Sequence, residues 1–149
     1  MDLSVVPSDV IYRVASTQES FDLRDFMQSE KRFIEDWNAT SLVCVGEYQG
    51  KICSCVREFI TTTDKLSLMV NVWVAPWARG HKLGLRVMEF IIYQAKALEV
   101  WIDCRPSLGP YYSKMGYIQM HEVPEDVFCE HLPDQIYMVY HKASKNQEG

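Results

Sequence analysis

The chain has no basic excess: 15 Lys and Arg against 20 Asp and Glu leave a formal charge of -5, which argues against a general nucleic-acid binder. It also has no C-x-x-C pair. Its five cysteines, Cys44, Cys53, Cys55, Cys104 and Cys129, make an odd number, and most lie in apolar runs where cysteine behaves as a small core residue. A reducing, cytoplasmic setting fits that usage. The stretch Met1-Asp2-Leu3-Ser4-Val5-Val6-Pro7 shows neither a basic start nor a long apolar segment, so no signal peptide and no membrane anchor are expected. His121, His131 and His141 share no metal-ligand spacing with one another or with the cysteines, and no metal is expected. Internal repeats and low-complexity segments are absent as well. With 149 residues, 48% apolar and 23% charged, the sequence predicts one domain over 1–149, with a core of about 10–140 and a polar tail at 142–149.

What the chain does have is a stretch on which the rest is organised, Val72-Trp73-Val74-Ala75-Pro76-Trp77-Ala78-Arg79-Gly80-His81-Lys82-Leu83-Gly84. It has the pattern of a β-branched strand, a proline stop and a basic glycine-containing turn, leading into an amphipathic run that ends near Leu98. The first amides of a helix have no partner inside the helix, so a strand feeding such a turn makes an anion site, here expected to take polyphosphate. Leu83, Val87, Phe90, Ile91, Ala95 and Leu98 recur three and four apart, with Arg86, Glu89 and Lys96 off that stripe, which predicts a core helix with one wet face. A nucleoside-triphosphatase loop is excluded, because 79–84 lacks the Gly-x-x-x-x-Gly-Lys-Ser/Thr spacing.

Around this stretch, Val10 to Val14 predicts a first strand, and Ser16-Thr17-Gln18-Glu19 a capping box opening a helix that buries Phe21, Leu23 and Phe26. Phe33, Ile34 and Trp37 suggest a second short helix. Residues 42–48 and 51–60 flank Gln49-Gly50 as a β-hairpin, and Leu66 to Val74 is the next strand. After the central helix, Val100-Trp101-Ile102 is a strand expected to run parallel to the one before the helix. Pro106 to Met115 predicts a short helix broken at Gly116, followed by strands at 117–120 and 136–140 with an acidic excursion from Glu122 to Asp134 between them.

This order of elements, together with two motifs, resembles the GNAT superfamily of N-acetyltransferases over about 10–140. The 72–84 stretch is similar to that family's acetyl-CoA signature, and Tyr111-Tyr112-Ser113-Lys114-Met115-Gly116-Tyr117 is similar to its aromatic-Tyr-Glu-Lys-Leu-Gly-Phe segment. The resemblance implies an α/β (α+β) fold with a mixed, mostly antiparallel sheet of six to seven strands, a central parallel pair and flanking helices. It implies acetyl-CoA as acyl donor, with the backbone of Val72, Trp73 and Val74 pairing with the pantetheine arm. Amides of Arg79, Gly80, His81, Lys82, Leu83 and Gly84 would hold the pyrophosphate, and Tyr112 would protonate the leaving thiolate.

One position departs from the family pattern: Lys82 stands where the first glycine of Gly-x-Gly is usual. A lysine there could crowd the phosphate; if it keeps helical angles, its ammonium could instead reach the phosphates as a point charge. The base is less visible. Asp103 and Glu58 are the candidates, each also readable as a solvated or ion-paired acid. Tyr112 also has a reading as a packing tyrosine, Trp73 and Trp77 as packing residues, and His81 as an exposed turn residue.

The function the resemblance implies is direct acetyl transfer from acetyl-CoA to an amine acceptor, a small molecule or a protein amino group. No nucleic acid or membrane is expected as partner. Homodimerisation is common in the family, and nothing in the sequence specifies an interface. The alternative is a catalytically silent module of the same fold that binds an acyl-CoA or a protein partner as a regulator.

Overall fold

The side chain of Ser16 starts the first helix. Its hydroxyl accepts from the Glu19 N–H at 3.2 Å, and the Glu19 carboxylate accepts from the Ser16 N–H at 2.9 Å, completing the capping box. The helix, α1, spans Thr17–Ser29 and buries Leu23 and Met27. The computed structural model describes residues 5–30, 40–60, 66–122 and 134–142. The expected helix carrying Phe33, Ile34 and Trp37 lies outside the described residues, as do most of the 122–134 excursion and of the 142–149 tail.

Two compact units divide the chain: Met1–Glu58 with Val70–Ala95, and Phe59–Met69 with Lys96–Gly149. In the first, β1 (Ile11–Val14) pairs antiparallel with β2 (Thr40–Tyr48), Ile11 opposite Glu47 and Val14 opposite Cys44. β2 returns into β3 (Lys51–Ile60) through Gln49 and Gly50, whose φ values of 51° and 79° are the positive pair a two-residue hairpin turn requires. The strand order there is β1-β2-β3-β4, with β4 spanning Leu66–Val74.

The second unit takes the amino-terminal residues of β4 and orders its strands β4-β5-β7-β6, with β5 at Glu99–Cys104, β6 at Ile118–Met120 and β7 at Ile136–His141. β4 and β5 are parallel, Leu66 opposite Glu99 and Leu68 opposite Trp101, while β5 with β7 and β6 with β7 are antiparallel. This is the mixed α/β fold expected from the motif order.

The central helix, α2, is Leu83–Gln94 and buries Leu83, Val87, Met88, Ile91 and Ile92. The sequence stripe runs on to Leu98, but the helix does not. Ala95 keeps its N–H bond to the Ile91 oxygen while its own ψ of 141° turns the chain extended. Beyond it, the Leu98 oxygen accepts from the Lys142 N–H at 2.8 Å, so by Leu98 the chain hydrogen-bonds beside β7 and no longer along the helix. Leu98 and Lys96 are exposed. Among the described residues no helix is long and apolar enough to cross a membrane.

Candidate active site

The end of β4 is anchored before it turns. Ala75, 1% exposed, donates its N–H to the Cys53 oxygen at 2.8 Å, and Pro76–Ala78 form a single 3-10 turn. Trp73 is half-buried and meets Phe26 of α1 edge-on, ring centroids 5.1 Å apart, so it packs; Trp77 is exposed at 41%. Arg79 then runs extended, and its Nε donates to the Val74 oxygen at 3.2 Å, tying the turn back to the strand end. Gly80, with φ 88°, makes the reversal that a side chain would resist.

Lys82 is the N-cap of α2, with φ 59° and ψ 29°, in the left-handed region. The condition of helical angles, one of the two alternatives for Lys82, is not met: the turn requires at this position the conformation that glycine adopts freely, and lysine adopts it at a cost. No side chain caps the helix, and the first helical bond is from the Arg86 N–H to the Lys82 oxygen, 3.1 Å. The amides of Leu83, Gly84 and Leu85 thus begin the helix without intrahelical acceptors. Gly84 lies so close to β4 that an added Cβ would meet Val74 Cγ2 at 3.3 Å and Val72 Cγ1 at 3.6 Å. Open amides, a helix dipole and the cations Arg79, Lys82 and Arg86 fit a diphosphate. His81 is half-buried, not exposed.

In the second unit, β5 delivers Asp103 and Cys104, and the helix α3 (Gly109–Lys114) delivers Tyr112. These three lie within electrostatic reach of one another. Burial, then the charges of Cys104, Tyr111 and Asp103, push the Tyr112 phenol up to about 12. Burial likewise raises Asp103 above its ordinary 3.8. Tyr112 is half-buried and touches Tyr111 and Tyr117 edge-on, with centroids 5.2 and 5.8 Å away.

The structure thus groups Val72 through Gly84 in one unit, and Asp103 with Tyr112 in the other. Glu58, the second candidate base, is 2% exposed on β3, next to Arg57 at 1%; the solvated reading of Glu58 does not hold. The reading of residues one at a time missed two features. One is the Arg79 bond to Val74, which no spacing announces. The other is the bearing of Gly116 and Tyr117 on Tyr112, which was present in the motif as an interval.

Comparisons with known proteins give the class. A sequence model of the Acetyltransferase (GNAT) family matches residues 10–117. The chain belongs to that family. It is 36% identical over 66 residues to the "Probable glucosamine 6-phosphate N-acetyltransferase 2" of Oryza sativa subsp. japonica, a match covering 42% of this chain and 40% of the relative. N-acetylglutamate synthase from Neisseria gonorrhoeae, complexed with coenzyme A and N-acetyl-glutamate, superposes with a TM-score of 0.67 at 17% identity, over 89% of this chain and 35% of that one. A GNAT-family acetyltransferase from Staphylococcus aureus Mu50 also gives 0.67, at 13% identity over 89% of this chain and 99% of that one. At these identities the two structures share the fold.

Proposed function

We propose that this chain is an N-acetyltransferase that moves an acetyl group from acetyl-CoA directly to an amine, without a covalent enzyme intermediate. The observation that carries the reading is the uncapped amino terminus of α2, reached through a turn with left-handed Gly80 and Lys82. Coenzyme A in the Neisseria synthase supports it. Bound acetyl-CoA supplies an activated acyl carbon and a sulfur leaving group.

The amides of 79–84 hold the diphosphate, and the backbone of Val72, Trp73 and Val74 aligns the pantetheine arm. Asp103, its proton affinity raised by burial, takes a proton from the amine nitrogen as that nitrogen bonds to the acyl carbon. The carbon–sulfur bond breaks, and the Tyr112 hydroxyl gives its proton to the departing sulfur. A phenol pushed up to about 12 is fully protonated at neutral pH, so the donor is always loaded. Exchange with solvent then returns the proton from Asp103 to Tyr112.

The acceptor is an amine of a small molecule or a protein. Glucosamine 6-phosphate, from the rice relative's name, and glutamate, from the synthase, head the panel to try. A cytoplasmic setting belongs to the same reading, supported by the buried thiols Cys44, Cys53, Cys55 and Cys104.

The test is thiol release from acetyl-CoA over an amine panel, with Tyr112→Phe beside the native chain. A loss of about 10²–10⁴-fold in kcat is expected; an unchanged rate removes Tyr112 from the mechanism. Lys82 in a glycine conformation favours a second reading, the silent regulatory module. Calorimetric binding of acetyl-CoA without thiol release for any amine would select it, and no binding at millimolar acetyl-CoA would defeat the transferase reading.

A further inference from the structure

The short helix that carries Tyr112 ends in a closed hydrogen-bond pattern. The Gly116 N–H bonds the Ser113 oxygen at 3.0 Å, and the Tyr117 N–H reaches back five residues to the Tyr112 oxygen at 3.2 Å. With Met115 as C-cap and Gly116 at φ 105°, this is the Schellman termination, in which the third residue from the helix end and the second residue beyond it also meet through their side chains. Those two residues are Tyr112 and Tyr117, and their rings meet edge-on, centroids 5.8 Å apart at 68°. Tyr117 is 3% exposed and is backed in turn by the ring of Tyr140, 5.7 Å away.

We propose that Gly116 and Tyr117 are positioning residues for Tyr112: the left-handed glycine turns the chain back so that Tyr117 holds Tyr112 by its main-chain oxygen and by the edge-on contact of the two rings. The inference rests on Tyr112 being the proton donor of the proposed transferase, and it gives a physical reason for the interval Tyr-x-x-x-Gly-Tyr. Four residues between the two tyrosines are what the six-to-one bond of this helix end requires. Glycine is demanded twice over. Its φ lies where a side chain is strained, and an added Cβ would stand 3.1 Å from Tyr140 Cε2. The ring of Tyr117, not its hydroxyl, carries the effect, because that buried hydroxyl finds no hydrogen-bond partner among the described residues. Tyr117→Phe therefore serves as the conservative rescue, and Tyr117→Leu removes the contact.

The experiment uses the full chain with ring-carbon-labelled tyrosine, the Tyr112 signal being identified by its loss in Tyr112→Phe. Tyr117→Phe leaves that signal and its titration in place. Tyr117→Leu and Gly116→Ala shift it toward the exposed-tyrosine position and toward an ordinary pKa of about 10, with native circular dichroism; if Gly116→Ala does not fold, Tyr117→Leu carries the test. With the best amine of the panel, Tyr117→Leu lowers kcat by about ten- to a hundred-fold at nearly constant KM for acetyl-CoA, and Tyr117→Phe restores it. A Tyr112 signal unmoved by Tyr117→Leu overturns the proposal, as does a full rate in Tyr117→Leu when Tyr112→Phe is slow. A moved signal with full rates in both variants instead overturns the acid role of Tyr112 and leaves the positioning contact standing.

Discussion

The Nε of Arg79 donates a hydrogen bond to the main-chain oxygen of Val74 at 3.2 Å. That bond joins the strand end proposed to align pantetheine to the turn proposed to hold the diphosphate. Arg79→Met removes both the tie and a cation, and lowers acetyl-CoA affinity by about ten-fold, or about 1.4 kcal/mol. Arg79→Lys keeps the charge without the Nε donor and falls between the two. Calorimetry on the three proteins orders them, and equal affinities would remove the Arg79 side chain from the site.

Lys82 separates strain from charge. Its left-handed φ of 59° costs about 1 kcal/mol, while glycine loses a comparable amount through its freer unfolded chain. Lys82→Gly therefore leaves stability within about 0.5 kcal/mol of native, whereas β-branched Lys82→Val loses about 1–2 kcal/mol. Urea unfolding checks both. If the ammonium contacts phosphate, Lys82→Gly also flattens the salt dependence of acetyl-CoA binding.

Arg13 forks onto Glu19, Nη1 to Oε1 and Nη2 to Oε2 at 2.7 Å each, and also reaches Glu47 at 2.9 Å. The guanidinium, helped by Ser16, holds the Glu19 carboxyl down at about 2. A carboxyl lowered on folding contributes stability that is complete above its ordinary pKa of 4.5 and lost as pH falls toward about 2. The fork is partly solvated, with side-chain exposures of 34% and 26%, so Glu19→Gln costs about 1–2 kcal/mol at neutral pH. Denaturant unfolding at successively lower pH should show that difference vanishing near pH 2, and a difference independent of pH would assign the effect to packing.

The pH profile of transfer distinguishes the two proposed proton carriers. Asp103, raised by burial, acts as base only when ionised, so kcat/KM climbs with pH through a midpoint above the ordinary carboxylate value of 3.8. Tyr112 acts only when protonated, and with its phenol at about 12 it imposes no alkaline fall until close to that pH. Asp103→Asn removes that limb and leaves the separate limb set by the amine acceptor itself, which must be neutral to attack. A low-pH limb unchanged in the variant shows that Asp103 is not the base.

Much of this was legible because it depends on near neighbours in the chain. Ser16 and Glu19 are three residues apart and cap one helix; Gln49-Gly50 supplies positive φ where the hairpin turns; Gly80 and the uncapped start of α2 follow from a strand, a proline and a basic turn. Periodicity also identified the buried face of α2, although it extended the helix to Leu98, because a stripe of apolar residues does not mark where the backbone turns extended, which happens at Ala95 with ψ 141°.

Sequence alone carried the two motifs and, among the described residues, the order of strands and helices, since these rest on local spacing and backbone preference, and the family followed from their resemblance to known members. Tertiary structure decided what those residues experience. The left-handed backbone of Lys82, the burial of Glu58 on β3, the desolvation that raises Asp103 and Tyr112, and the ring of Tyr117 against Tyr112 all depend on which chain segments pack together. Dielectric surroundings and ring contacts are properties of that packing, so they come into being only when the chain has folded.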